Sequence, residues 1–504
     1  MRALTIAILA LALCAGDSSL AAADSHTAAT NGNAPAALKL LKVEPVKGHS
    51  SDPFTITADG LPANQQIEFF WATVDGSYVT RVLPDNLEYD ERRYDEKRIS
   101  LGSAQSDARG RLTAKFVAPE DFGEVHDIFA AAGGKDVARG GFRILRSAAM
   151  TPAAGALGTP ITITVKGMSW RGFEQFMALR YDNKYAGEIS AVTTRGTAVF
   201  QIRAAGAPGR HVIQLNNSTA YAPGAYLNTQ QSPQAYIYEH LDNRQEFRFI
   251  FDVTADRGAP PDRIEGPEAQ RVAKLAEGSP RTTRSVDSAP GTARLNPPAG
   301  AVNSGAVLSA AGLPPSTEVG LHFVTARGNR MTPSGWNLDS VPLATAMTGA
   351  DGSLKAAITI PDDLGGWHMI KLASRDRVLV EAPFYVEQSL IQVSPRRVKV
   401  GEAFTIQLKG VGWTELDNTV AVTYDNAAIG YACGFNSNGD VTINLVASGA
   451  PGTHLIDIYP AIYRGKDRVP WNYQTPFLAY ARDFPALAHG YRLPAYRLAV
   501  EIVE

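Results

Sequence analysis

The chain has 504 residues, is 45% hydrophobic and 19% charged, and sets 48 Lys and Arg against 50 Asp and Glu. A net charge of −2 supplies no long-range pull on nucleic acid or on an anionic membrane surface. With 45 Gly and 31 Pro, turns and short strands are favoured over long helices, and the length suits about three to five domains.

Residues 1–23 read as a secretory signal peptide. Arg2 is a minimal basic start, 3–15 is an apolar run too short to span a bilayer, and Ala21-Ala22-Ala23 supplies small residues for cleavage before Asp24. A rival reading anchors the chain as a lipoprotein through Cys14. A lipobox wants a small residue just before its cysteine, and Leu13 is not small. Gly16-Asp17-Ser18 is similar to the opening of a GDSL hydrolase block, but it lies inside the leader. Loss of the leader leaves Cys433 alone, so no internal disulfide is expected, and the thiol reads as buried and inert. The mature chain is expected to be secreted or periplasmic, without a transmembrane segment.

Residues 24–38, rich in Ala, Asn, Thr and Ser, read as a flexible tether. The first domain, 39–146, opens with alternating Phe54-Thr55-Ile56-Thr57-Ala58 and the turn Gly60-Leu61-Pro62. Its charged stretch 85–98, with Tyr89-Asp90-Glu91-Arg92-Arg93-Tyr94, is too polar for core and predicts a surface loop or short helix. The second domain, 147–255, carries the strand Ile161-Thr162-Ile163-Thr164-Val165, then Lys166-Gly167 and Trp170. Residues 256–290 form a Pro- and Ser-rich linker, with a short helix expected over 267–277.

The remaining chain repeats this plan. Residues 158–215 recur at 401–458 without a gap, with roughly a third of positions identical. Gly158 matches Gly401, Trp170 matches Trp413, and Tyr181-Asp182-Asn183 matches Tyr424-Asp425-Asn426. Gly206-Ala207-Pro208-Gly209 matches Gly449-Ala450-Pro451-Gly452, and His211 matches His454. The first domain recurs more weakly at 291–387, where Gly312-Leu313-Pro314, Gly365 and His368 answer Gly60-Leu61-Pro62, Gly123 and His126. The fourth domain is 388–504. The expected fold is all-β: four sandwiches in an ABAB tandem duplication.

The Pro, Gly and alternating strand before a Gly and an aromatic, as in Pro152, Gly158, 161–165, Gly167 and Trp170, resemble the IPT/TIG group of bacterial immunoglobulin-like domains. The resemblance covers 147–255 and 388–504 and is weaker for 39–146 and 291–387. It implies immunoglobulin-like sandwiches in a binding or spacing role. The chain departs from it in 221–253 and 463–503, which are longer than such a domain needs.

Each domain holds one His at the same place: His126, His211, His368 and His454. One ring per sandwich cannot gather the three or four ligands of a zinc site, so a ring bonded to a turn carbonyl is expected and no metal is assigned. Asp182-Asn183 and Asp425-Asn426 read as turn chemistry, with calcium the alternative. The ligand-binding candidates are Tyr221, Tyr226, Asn228, Gln230, Trp336, Trp471, Asn472, Tyr473 and Gln474. Aromatics beside amides can stack on a sugar and bond its hydroxyls, or pack between domains instead.

No zinc-protease helix motif, nucleophile elbow outside the leader, phosphate loop or dinucleotide fingerprint is found, so no catalytic residue and no cofactor are assigned. The expectation is a non-enzymatic binding or structural protein of the cell envelope, recognising a carbohydrate or polymer through its aromatic loops. An adhesin or assembly factor binding another envelope protein is the alternative, and a secreted enzyme or accessory module a further one.

Overall fold

Alternation along the chain decides its secondary structure. In Pro53–Ala58, Phe54, Ile56 and Ala58 are buried while Thr55 and Thr57 stay half-exposed. The same two-residue period runs through Pro160–Lys166, Gly305–Ala311 and Ala403–Lys409, as one buried sheet face requires. Each of these strands is the middle of a three-stranded antiparallel sheet. In the computed structural model the described residues are 38–83, 86–170, 176–217, 247–256, 263–265, 291–328, 336–375, 377–462 and 475–504.

Every three-stranded sheet packs on a larger one. In 147–253 the larger sheet runs Ala154–Gly155, Phe247–Val253, Gly209–Asn217, Phe176–Tyr181, Lys184–Ser190. In the C-terminal stretch the order is Arg263–Glu265, Ala495–Val503, Gly452–Ala461, Thr419–Tyr424, Ala427–Cys433. The larger sheets of 39–144 and 299–387 follow the same plan, ending on Asn86–Gln105 and Trp336–Met347. In all four, the last hairpin shifts register at the same place, leaving Leu101, Ala186, Leu343 and Ile429 without an opposite residue, and the first hairpin shifts a second time at Asp90. This is a β-bulge, which bends the terminal strand. The architecture is all-β and immunoglobulin-like. Among the described residues no helix is long and apolar enough to cross a membrane.

Three cores are self-contained: one around Phe54, Trp71 and Phe142, one around Leu308, Phe323 and Phe384, and one around Phe404, Ile458 and Leu498. The fourth is not. Ile161, Ile163, Leu179 and Ile213 share a cluster with Leu87 and Tyr89, with Trp367 and Tyr385, and with Phe477, Leu478, Phe484 and Tyr491. Residues 39–504 accordingly form one compact unit.

The structure corrects three local expectations. Within the charged stretch 85–98, the described residues 86–98 are neither loop nor helix. They belong to Asn86–Gln105, which pairs along its whole length with Gln66–Leu83. Its charges are matched by neighbours: Arg81 reaches Glu88 and Asp90 at 2.6 Å, Lys97 reaches Asp75 at 2.7 Å and Arg98 reaches Asp136 at 2.9 Å. Within the linker, Arg263–Glu265 is a strand antiparallel to Ala495–Val503, while 267–277 lies outside the described residues. Cys433 is exposed, whereas its repeat partner Ser190 is buried.

Candidate functional site

The junction between a sandwich and the next is built twice from the same parts. Gly123 N donates to Met168 O at 3.1 Å, and Gly365 N donates to Val411 O at 3.1 Å. A Cβ on Gly123 would overlap the carbonyl of Gly167, and one on Gly365 that of Gly410. Behind each contact an aromatic stack crosses the boundary. Trp71, His126 and Trp170 stand 4.5 and 5.1 Å apart in sequence along the first stack. Phe323, His368 and Trp413 stand 4.2 and 4.7 Å apart along the second. Lys166 to Glu120 and Lys409 to Asp362 add an ion pair at each rim.

The four histidines share a structural task. Nε2 lies 2.8 Å from the carbonyl four residues earlier in each: Phe122 for His126, Ala207 for His211, Leu364 for His368 and Ala450 for His454. The bond to a turn carbonyl expected from the sequence is present in all four. At Nδ1 the two kinds diverge. His126 and His368 face the carbonyls of Ala72 and Val324 at 2.8 Å, and burial lowers the pKa of His368. His211 and His454 face Asp182 and Asp425 at 2.6 Å. Burial is the largest single influence on His454 and works against a charge, but the bonds to Asp425 and Ala450 and the charge of Asp425 together outweigh it and raise the pKa. The second oxygen of each Asp accepts from Val212 N or Leu455 N at 2.9 Å. Asp182, Asn183, Asp425 and Asn426 all have positive φ, the turn geometry their residue types tolerate.

Two buried polar clusters tie the second stretch to the C-terminal one. Asp483 accepts from Ser190 Oγ at 2.6 Å, Val192 N at 2.9 Å, Thr193 N and Oγ1 at 2.8 Å, and Tyr78 Oη at 3.0 Å. Those donors come from two sandwiches, so one carboxylate clasps three parts of the chain. In the second cluster Asp457 bridges the guanidiniums of Arg203 and Arg497. Arg203 also donates to Leu498 O at 2.7 Å, and Asn426 Nδ2 donates to Arg203 O at 2.7 Å.

The terminal strands Lys184–Ser190 and Ala427–Cys433 occupy repeat-related positions but differ in cover. On the first, Glu188 N donates to Pro476 O at 3.0 Å and Leu478 N donates to Glu188 O at 2.9 Å, so 476–478 lies along its outer side as an added parallel segment. Ala186, Glu188 and Ser190 are buried beneath it, and burial holds the Glu188 pKa well above the carboxylate range. On the second, Ile429 and Tyr431 remain 48% and 49% exposed, and Cys433 is exposed with them.

Of the sequence-predicted ligand residues, Tyr221, Tyr226, Asn228, Gln230, Trp471, Asn472, Tyr473 and Gln474 lie outside the described residues. Trp336 begins the strand Trp336–Met347, opposite Gly328. Sequence reasoning missed Asp483, Ser190 and the Arg203–Asp457–Arg497 cluster. The usable signal was the surplus length after 463, part of which is the segment that covers Lys184–Ser190.

No family model and no curated protein matches the chain. Among solved structures it is similar to a tetra-tandem repeat from the extending region of a large adhesion protein, at 12% identity and a TM-score of 0.19, covering 85% of this chain and 96% of that one. It is similar to the Escherichia coli adhesin FdeC at 10% identity and a TM-score of 0.15, covering 69% and 96%. A putative membrane-anchored protein from Corynebacterium diphtheriae gives 11% identity and a TM-score of 0.17, covering 69% and 89%.

Proposed function

We propose that this is a non-enzymatic, secreted or periplasmic protein of the cell envelope whose work is binding and spacing. Its modules are four immunoglobulin-like domains, 39–146, 147–255, 291–387 and 388–504, arisen by ABAB duplication, with the second and fourth nearest to the IPT/TIG pattern. One observation carries the reading. The buried charged and titratable groups at the junctions, Asp483, Asp457, Arg203, His126 and His368, are committed to holding sandwiches together. A body cross-linked in this way presents loops and edges at fixed spacing, which suits recognition of an extended partner.

The aromatic loops supply the proposed carbohydrate or polymer contacts, through Tyr221, Tyr226, Asn228, Gln230, Trp336, Trp471, Asn472, Tyr473 and Gln474. Residues 1–23 are the proposed export signal. N-terminal sequencing of the chain recovered from the periplasm or medium is expected to begin at Asp24, and recovery of uncleaved protein from the cytoplasm overturns the location. Glycan-array binding lost in Trp471→Ala and Tyr473→Ala supports carbohydrate recognition, and turnover of a substrate by the purified chain replaces it with an enzyme. The exposed strand Ala427–Cys433 favours a second reading, recognition of another protein.

A further inference from the structure

Four strands end the larger sheets at the same position, each just past its bulge: Asn86–Gln105, Lys184–Ser190, Trp336–Met347 and Ala427–Cys433. A terminal strand offers main-chain donors and acceptors to any extended chain, and proteins blunt such edges with charge, proline or a cover. Three of the four are blunted. Asn86–Gln105 carries Arg93, Asp95, Glu96, Lys97 and Arg98. Trp336–Met347 contains Asp339 and Pro342. Lys184–Ser190 is covered by 476–478. The fourth, Ala427-Ala428-Ile429-Gly430-Tyr431-Ala432-Cys433, has no charge and no proline, and among the described residues only Thr419–Tyr424 pairs with it.

The covered strand shows what such an edge accepts. Gly187 and Gly430 stand at the same place with φ of 154° and 156°. A Cβ at Gly187 would meet Pro476 O at 2.6 Å and Leu478 Cγ at 2.9 Å, whereas one at Gly430 would meet nothing within 4 Å. Ala186, Glu188 and Ser190 are buried under that segment; their counterparts Ile429, Tyr431 and Cys433 are exposed. Tyr431 has other contacts within the chain and is still 49% exposed. A bulge can turn an edge aside, but the same bulge at Ala186 does not keep 476–478 away. The start of the fourth strand is anchored through Asn426, bonded to Arg203 O, and the run from Ile429 to Tyr431 is exposed.

We propose that Ala427–Cys433 is a strand-addition site that takes an extended, uncharged Pro-Phe-Leu-type segment of a partner protein, docked as 476–478 docks on Lys184–Ser190. The absence of charge on the strand selects an uncharged occupant, since a buried unpaired charge opposite Ile429 would be costly. The occupant comes from another protein because this chain's own copy of the segment is already held at Glu188 and by the Asp483 clasp. This rests on the protein-recognition reading above, but not on the cell compartment or on carbohydrate binding.

The test uses the purified full chain and a labelled peptide with the sequence of residues 475–480, Thr-Pro-Phe-Leu-Ala-Tyr, followed by fluorescence anisotropy. Saturable binding is expected, weakened about tenfold or more by Ile429→Lys and by N-methylation of the peptide leucine, which removes its main-chain donor. Ile429 is exposed, so the variant is expected to melt like the parent, and melting is measured alongside. Undiminished binding to a folded Ile429→Lys chain, or no binding, overturns the proposal. So does self-association in sedimentation that Ile429→Lys abolishes, because the occupant would then be a second copy. N-terminal sequencing and glycan arrays are unaffected by any of these results, so failure here is distinct from failure of the envelope reading.

Discussion

Ser190 Oγ donates a 2.6 Å hydrogen bond to the carboxylate of Asp483, 293 positions further along the chain. The bond closes the C-terminal segment over a sandwich whose paired strands all lie earlier in sequence but whose core that segment completes. Asp483→Ala would leave the buried donors on Ser190 and Val192, and the less buried ones on Thr193 and Tyr78, without this acceptor. Removing the acceptor from such a set costs about 3–5 kcal/mol. A urea titration is expected to show that loss, with Asp483→Asn falling between the variant and the parent.

His454 gives the fold a pH dependence of known sign. Its pKa is raised in the folded chain, where the bonds to Asp425 and Ala450 and the charge of Asp425 together outweigh burial. A raised folded value stabilises fully below the unfolded pKa of about 6.5, and the contribution is lost as pH climbs through the folded value. Thermal melts taken across that range should therefore fall with rising pH. Asp425→Asn should flatten the part of the slope that belongs to His454, and an unaltered slope would remove the imidazole from the account.

Glu188 acts in the opposite sense from an ordinary surface carboxylate. Burial raises its folded pKa well above the usual range, against the pull of Arg92 and the bond to Tyr185. The folded chain then holds a proton that the unfolded chain releases above about pH 4.3, and stability falls as pH rises from there toward the folded value. Glu188→Gln is expected to melt above the parent near about pH 8 and close to it near about pH 4. Calorimetry at the two pH values checks this.

Glycine substitutions separate two causes of strain. Gly209 and Gly452 have φ of 140° and 143° with nothing within 4 Å of a new Cβ, so Gly209→Val or Gly452→Val is strained only in its backbone. About 1–3 kcal/mol of destabilisation is expected for each. At Gly365 the new methyl would overlap the Gly410 carbonyl across the junction. Gly365→Ala should therefore lower stability and also loosen the Trp413–His368 stack, seen as a change in tryptophan fluorescence. Equal melting of Gly365→Ala and the parent would mean that the close approach is not maintained in solution.

Much of the fold was legible because it is written in local pattern. The two-residue period of 161–165 and 404–408 requires strands, and the recurrence of Tyr-Asp-Asn at 181–183 and 424–426 marks turns at matched places. The histidine-to-carbonyl bond was legible because His and its turn are four residues apart. The hairpin of Asn86–Gln105 was not. Charge suggested exposure, but partners such as Asp75 for Lys97 and Asp136 for Arg98 come from distant positions that local composition does not reveal. Cys433 was misjudged for the same reason. Its strand matches the one holding Ser190, but burial there depends on the segment around Pro476 and Asp483, which covers one copy and leaves Cys433 exposed on the other.

That lopsided closure has a consequence for biogenesis. As the polypeptide leaves the ribosome, the strands around Ile163 and Leu179 are made early, but their core lacks Phe477, Leu478, Phe484 and Tyr491, and Glu188 and Ser190 stay open to solvent, until translation passes Asp483. During that interval the edge at Lys184–Ser190 is without its cover at 476–478. Holdase chaperones would find their target there, and a premature stop codon shortly before Asp483 would make that vulnerable state permanent.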